Sequence, residues 1–250
     1  MEAYSADSSL RGKLRRRYTR LAYRKPLRLQ LDRPMLTFSF DDVPATAALA
    51  GARTLEAAGL RGTFYICAGL EDGDGPMGRY GSSEDARRLA AAGHEVACHT
   101  YSHLDCGQAG QPTITADVDR NGIALAERGA PAPVSFAYPY GDVSFSAKRA
   151  LGGRFKTLRT VQAGLVESGA DANQLPAVGI EGQDGEARAR DWMARAAHRK
   201  AWLILYTHDV ADNPSAWGCT PGALARLSAE AVQGGFEVVT MAQGAARAGL

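Results

Sequence analysis

At 250 residues, with 45% hydrophobic and 22% charged side chains, the chain has ordinary globular composition and length enough for one large domain or two small ones. This excludes a disordered chain, a collagen and a coiled coil, and no apolar run approaches the roughly 18 residues of a membrane span. Net charge is only +2 but is unevenly spread. Residues 1–33 hold ten Lys/Arg against three acidic residues, a local +7, while the remainder carries 19 basic and 24 acidic residues.

In that basic arm Leu10, Leu14, Tyr18 and Leu21 recur at three- and four-residue spacing, the pattern of an amphipathic helix. Such a helix either packs on the outside of the domain or rests against anionic lipid headgroups or an acidic substrate. No recognised nucleic-acid fold follows it, so nucleic acid is not an expected partner. A secretory leader also begins basic, but needs an apolar core of about 7–15 residues. Here Leu21-Ala22-Tyr23 runs straight into Arg24-Lys25-Pro26, and the expectation is a cytoplasmic protein. Cys67, Cys98, Cys106 and Cys219 form no CxxC pair and no disulfide framework, as expected of reduced, partly buried thiols.

From residue 34 onward β-rich runs alternate with helical patterns. Candidate strands are Met35–Phe40, Thr63–Cys67, Glu95–His99, Val134–Tyr138, Lys156–Val161, Ala177–Ile180, Trp202–Thr207 and Phe236–Thr240. Candidate helices are Ala45–Ala58, Ser83–Ala92, Ala116–Arg128, Ser146–Leu151, Gly185–Arg199 and Pro221–Val232. Ser82 or Ser83 caps the second, and Gly59, Gly93 and Gly129 are natural stops. Seven or eight βα units in one domain predict a closed or nearly closed barrel, with Gly69–Gly81 as a long loop.

Four polar clusters sit at C-terminal ends of these strands: Ser39-Phe40-Asp41-Asp42, His99-Thr100-Tyr101-Ser102-His103, Phe136-Ala137-Tyr138-Pro139-Tyr140-Gly141 and Tyr206-Thr207-His208-Asp209. In a βα-barrel those ends converge on one face, where active sites form. The His-x-x-x-His spacing puts two imidazoles on one side of a turn, and two His plus a carboxylate leave coordination positions open, as a catalytic metal site requires. Adjacent aspartates leave a strand on opposite sides, so one can ligate a metal while the other faces a water beside it. A helix N-cap ahead of Pro44 accounts for one of them but not both.

SFDD, HTYSH, FAYPYG and THDV, in this order, resemble the motifs of the NodB-type polysaccharide deacetylases, over nearly the whole chain from Met35 to Thr240. The resemblance implies a distorted, TIM-like (β/α)7 barrel in the α/β class, with residues 1–33 a basic arm and 34–250 one catalytic domain. It implies hydrolytic removal of acetyl groups from sugars with a divalent metal, zinc above all, with cobalt, manganese or nickel as substitutes. Within the family the HTYSHLDC and HDVxDNPS strings are similar to small bacterial exopolysaccharide and holdfast deacetylases.

Carried over by position, Asp41 resembles the family's general base, Asp42, His99 and His103 its metal ligands, and His208 its general acid. Tyr140 matches the position whose backbone N–H holds the oxyanion, and Tyr206 the place of a leucine lining the acetyl pocket. The family's third motif carries an arginine that orients the base. Here that place is Ala137, and Arg159 on the next strand is a candidate to supply the charge. The acidic partner of the catalytic histidine is not recognisable among Asp171, Asp184, Asp191 and Asp209.

Tyr138 and Trp217 are further candidates for sugar binding, and Asp105 for a hydrogen bond to a ligand imidazole. His94 reads as structural, and Trp192 and Trp202 as core. The expected substrate is an N-acetylated glycan, lipid-linked if the enzyme acts at the inner membrane face through residues 1–33, and a homo-oligomer is allowed. The alternative on the same barrel is a hydrolase of small non-peptide amides.

Overall fold

The computed structural model describes residues 17–250. Eight parallel strands share one sheet: β1 (Met35–Asp41), β2 (Thr63–Ile66), β5 (Glu95–Cys98), β6 (Ser135–Ala137), β7 (Thr157–Arg159), β8 (Val178–Gly179), β9 (Trp202–Thr207) and β10 (Glu237–Val238). Their order is β7-β6-β5-β2-β1-β9-β8, with β10 beside the start of β1. Between β2 and β5 a small antiparallel hairpin, β3 (Asp74–Gly75) and β4 (Gly78–Arg79), replaces part of the loop expected at Gly69–Gly81.

The sheet curls until β7 and β8 nearly meet. The seam between them is closed by an irregular segment: Leu158 donates to Ala172, Leu175 to Leu158 and Thr160 to Leu175, all through backbone groups. The architecture is the distorted (β/α)7 barrel expected. All seven residues of β1 are buried, as expected of a strand covered on both faces. Alternation sorts them. Met35 joins the inner cluster with Tyr65, Ala97, Ala137, Trp202 and Tyr206, whereas Leu36, Phe38 and Phe40 face the helices. Inner Thr37 accepts Trp202 Nε1–H at 3.0 Å, and inner Ser39 donates to the Leu205 carbonyl at 2.9 Å.

The surrounding helices are α1 (Ala52–Ala57, entered through a π-helical turn at Ala47–Gly51), α2 (Ser83–Ala91), α3 (Gln111–Glu127), α4 (Phe145–Leu151), α5 (Gly185–Arg199), α6 (Pro221–Gln233) and α7 (Met241–Arg247). Ser82 caps α2 in a reciprocal box with Asp85. The helix α7, not anticipated, is docked at its N-terminus by Glu95, which accepts from Ala242 N–H and Thr63 Oγ1–H. His94 is structural, taking Gly62 N–H on Nδ1 and facing Glu56 with Nε2.

Of the arm, Leu10 and Leu14 lie outside the described residues. Residues 17–21 are helical, and the chain then runs along the seam. Leu27 exchanges backbone hydrogen bonds with residues 169 and 170, and Lys148, fully buried, donates to the Thr19 carbonyl at 2.9 Å and to Asp171 at 2.6 Å. Leu27 and Leu29 are buried in the inner cluster. No helix of the described residues is long and apolar enough to cross a membrane.

Candidate active site

The four motif clusters meet at one end of the barrel, around a cavity of about 310 Å³. Alternation turns Asp41, the last residue of β1, inward. The chain then reverses sharply: Val43 N–H bonds the Asp41 carbonyl at 2.5 Å around Asp42 at φ 57°, and Val43 itself sits at φ 52°. A β-branched residue in that region is strained, and the strain is stored where both carboxylates reach one cavity.

Asp41 is held by Arg159. This guanidinium, wholly buried on β7, donates to Asp41 Oδ1 and to the Thr160 carbonyl, and lies 4.9 and 5.3 Å from the ring centres of Tyr65 and Tyr206. Burial alone would raise the Asp41 pKa, but Arg159, followed by His99 and His208, outweighs it and keeps the carboxyl below its ordinary range.

The loop after β5 carries both imidazoles. Thr100 and His103 have φ 64° and 56°, and the loop is tied on two sides. Asp117 of α3 accepts the N–H groups of Tyr101 and Ser102 at 2.6 and 3.1 Å, and the Tyr101 carbonyl accepts Gly69 N–H at 2.9 Å. His99 Nδ1 lies 2.8 Å from the Ala137 carbonyl, which places the proton there and leaves Nε2 free 3.5 Å from Asp42 Oδ1. His103 Nε2 is 3.2 Å from the same oxygen. Burial lowers the His99 pKa to about 4, so the ring is a neutral nitrogen donor.

The tightest trio of potential metal donors among the described residues is Asp42, Cys67 and His99, within 4.8 Å of one another. Cys67 donates its S–H to the His99 carbonyl at 2.9 Å, lies 3.9 Å from Asp42 Oδ1, and is raised well above its normal pKa by burial. The two imidazoles converge on that same Asp42 oxygen at 3.5 and 3.2 Å, and two His with one carboxylate leave coordination positions open.

His208 faces this group from the end of β9. Its Nδ1 lies 3.2 Å from the Trp217 carbonyl and 3.5 Å from Glu181 Oε2. Burial would lower its pKa, but Glu181, together with Asp41 and Asp42, raises it to about 9. Tyr206 donates to the other Glu181 oxygen at 3.2 Å. Glu181, just past β8, is therefore the acidic partner. Of the four aspartates considered for that role, Asp171 pairs with Lys148, Asp191 with Arg195 and Asp209 with Ser215, while Asp184 precedes α5. The rule that strand ends carry the chemistry would have found Glu181, one residue beyond the predicted strand Ala177–Ile180.

Tyr140 stands in the middle of a tight turn, Pro139–Gly141, at φ 59°, with its ring edge-on to His103 at 4.5 Å. Gly141 follows at φ 66°, and a Cβ there would lie 2.2 Å from Val161 Cγ2, so this turn demands glycine. Tyr206, Trp217 and, from the hairpin tip, Pro76 and Met77 also line the cavity.

Two expected contacts are not made. Tyr138 is fully buried away from the cavity. One strand position after inward Ala137, it points outward onto Phe136 and donates its O–H to Asn173. The Asp105 carboxylate accepts Gly107 N–H at 2.8 Å, closing its own turn rather than orienting an imidazole.

The polysaccharide deacetylase profile matches residues 28–152, half of the chain. The chain belongs to the polysaccharide deacetylase family. Its fold is similar to that of the Xyl-CE4 domain of a multidomain xylanase from the hindgut metagenome of Trinervitermes trinervoides (18% identity, 88% of this chain and 93% of that one, TM-score 0.64). It is also similar to a family 4 acetyl xylan esterase from Clostridium thermocellum in complex with a cobalt ion (19%, 84% and 89%, TM-score 0.59). A third is a CE4 family pseudoenzyme from Bacillus anthracis (14%, 86% and 66%, TM-score 0.56). No curated protein sequence matches the chain.

Proposed function

We propose that this protein is a metal-dependent deacetylase of N-acetylated glycans. The observation that carries the reading is the opposition, across one cavity, of a carboxylate clamped by arginine (Asp41–Arg159) and an imidazole paired with a carboxylate (His208–Glu181), with two further imidazoles converging on Asp42. Asp42, His99 and His103 would hold a divalent cation, zinc first among candidates, and the cation would polarise the acetyl carbonyl and make a water acidic enough to attack near neutral pH.

The chain's own groups do the rest. Asp41, kept ionised by Arg159, accepts the proton of the attacking water. His208, kept protonated by Glu181, donates to the departing sugar nitrogen. The Tyr140 N–H is assigned to the developing oxyanion, and Tyr206 and Trp217 to the acetyl group and the sugar face. No serine or cysteine nucleophile is required.

The finer reading is a bacterial exopolysaccharide of the holdfast kind, or its lipid-linked precursor at the cytoplasmic face of the membrane. Supporting it are the +7 charge of residues 1–33 and the outward exposure of Tyr18 and Leu21 beside Arg17, Arg20 and Arg24. The partition into an arm, 1–33, and a catalytic domain, 34–250, belongs to the same reading.

The test is acetate release from N-acetylglucosamine oligomers by the purified protein, chelated and then reloaded with zinc, beside Asp41→Asn. Metal-dependent release lost in the variant is expected. A protein that binds metal in full and releases acetate from no acetylated glycan overturns the reading.

A further inference from the structure

A second cavity, of about 260 Å³, adjoins the first and shares Tyr140, Gly141 and Val161 with it. Its far wall comes from two places that the catalytic motifs do not include: Gln162 and Gln174 of the barrel seam, and Arg20 of the arm. Arg20 is exposed and makes no hydrogen bond or ion pair with any described residue.

This wall is fixed. Beside Arg20, the Thr19 carbonyl is held by the buried Lys148 ammonium at 2.9 Å, the Tyr23 carbonyl accepts from Asn173 at 2.7 Å, and Lys25 N–H donates to Asp171 at 2.8 Å. The arm therefore enters the groove as a built element. Two carboxamides and a guanidinium offer donors and acceptors that suit sugar hydroxyls. The Asp142 carboxylate on the same cavity offsets the charge of Arg20, which disfavours a phosphate and favours a neutral ring.

We infer that this cavity is a distal sugar subsite, so that a glycan held with its acetyl group at Asp42 and His99 extends over Tyr140 and Gly141 onto the arm. The inference rests on the glycan reading above and adds to it. Residues 19 and 20 precede the matched family region, 28–152, and would make chain-length preference a property of this protein's own arm.

The experiment compares dimeric and hexameric N-acetylglucosamine as substrates of the wild type and of the Arg20→Ala/Gln162→Ala variant, both positions being exposed. The ratio of kcat/KM for hexamer over dimer is expected to fall about tenfold, the loss of one or two hydrogen bonds, one to a charged group. An unchanged ratio overturns the inference. In parallel, calorimetry measures hexamer binding to Asp41→Asn with and without the Arg20→Ala and Gln162→Ala substitutions, and about tenfold weaker binding is expected. No difference in binding, or no binding of the hexamer at all, overturns the subsite. Acetate released from neither oligomer, with hexamer binding still dependent on Arg20 and Gln162, would instead sink the deacetylase reading and leave the subsite standing.

Discussion

Arg159 reaches from β7 to the carboxylate of Asp41 at the end of β1, joining residues 118 positions apart inside the barrel. Both partners are buried, so the pair acts as a unit. Removing only the arginine leaves a largely buried carboxylate without its nearest countercharge, which costs up to roughly 3–5 kcal/mol. Arg159→Met is therefore expected to lower the thermal midpoint markedly and abolish activity. Asp41→Asn/Arg159→Met should recover at least about 1 kcal/mol of that stability, because the unpaired charge is gone. Denaturant unfolding of the three variants checks this, and equal stability of the single and double arginine variants would contradict it.

Asp41→Asn alone is expected to cut acetate release by about 10³-fold, within the range of a lost general base, while leaving zinc stoichiometry intact. Metal analysis beside a coupled acetate assay separates the two effects.

The pairing of His208 with Glu181 predicts the alkaline limb of the pH profile. Burial opposes the charged imidazole, but Glu181, with Asp41 and Asp42, raises the pKa to about 9, so the acid is protonated at neutral pH and is lost as pH rises through that value. Glu181→Gln removes a negative charge and must lower the pKa. The descending limb of kcat/KM should move toward neutrality by about one unit. A limb left in place would assign it to another group.

Cys67 and His103 compete on paper for the third metal position, and mutation separates them. His103→Ala is expected to weaken zinc binding by 10²-fold or more, on the order of the loss of one ligand, whereas Cys67→Ala should leave affinity within about a factor of three. A cobalt-loaded protein should show no thiolate-to-metal absorption. The opposite pattern would place the thiol in the coordination sphere.

Deleting 1–33 would remove the carbonyl that Lys148 binds and the buried Leu27 and Leu29, and is expected to yield an unstable protein. If the basic residues hold the protein on lipid, deleting 1–16 should weaken sedimentation with anionic vesicles.

Much of this was legible in the sequence, and for a definite reason. The eight strands of the curled sheet are short apolar runs bounded by turns, and their ends carry the chemistry, so SFDD, HTYSH and THDV could be placed before any coordinates. Side-chain parity was harder. Ala137 and Tyr138 are neighbours, and the aromatic attracted the functional role although the pleat turns it into the helix layer. Parity read from the opposite end would have favoured inward Arg159 over outward Leu158. Glu181 escaped although it directly follows a strand end, because its partner lies 27 positions away on the neighbouring strand and the candidates considered for the role were aspartates alone. The hairpin at Asp74–Arg79 has only two residues per strand, too few for any alternation to show.

The guanidinium on β7 also bears on how chains of this kind are sorted. Position 137, where the third motif's arginine would stand, is alanine, and a rule that looks for the arginine only there would miss this chain's buried guanidinium. The charge of that arginine is nonetheless present in the barrel, delivered from the adjacent strand to the same carboxylate. The same charge can thus be delivered from a neighbouring strand, and a search for such arginines should scan every inward position on the strands that flank Asp41.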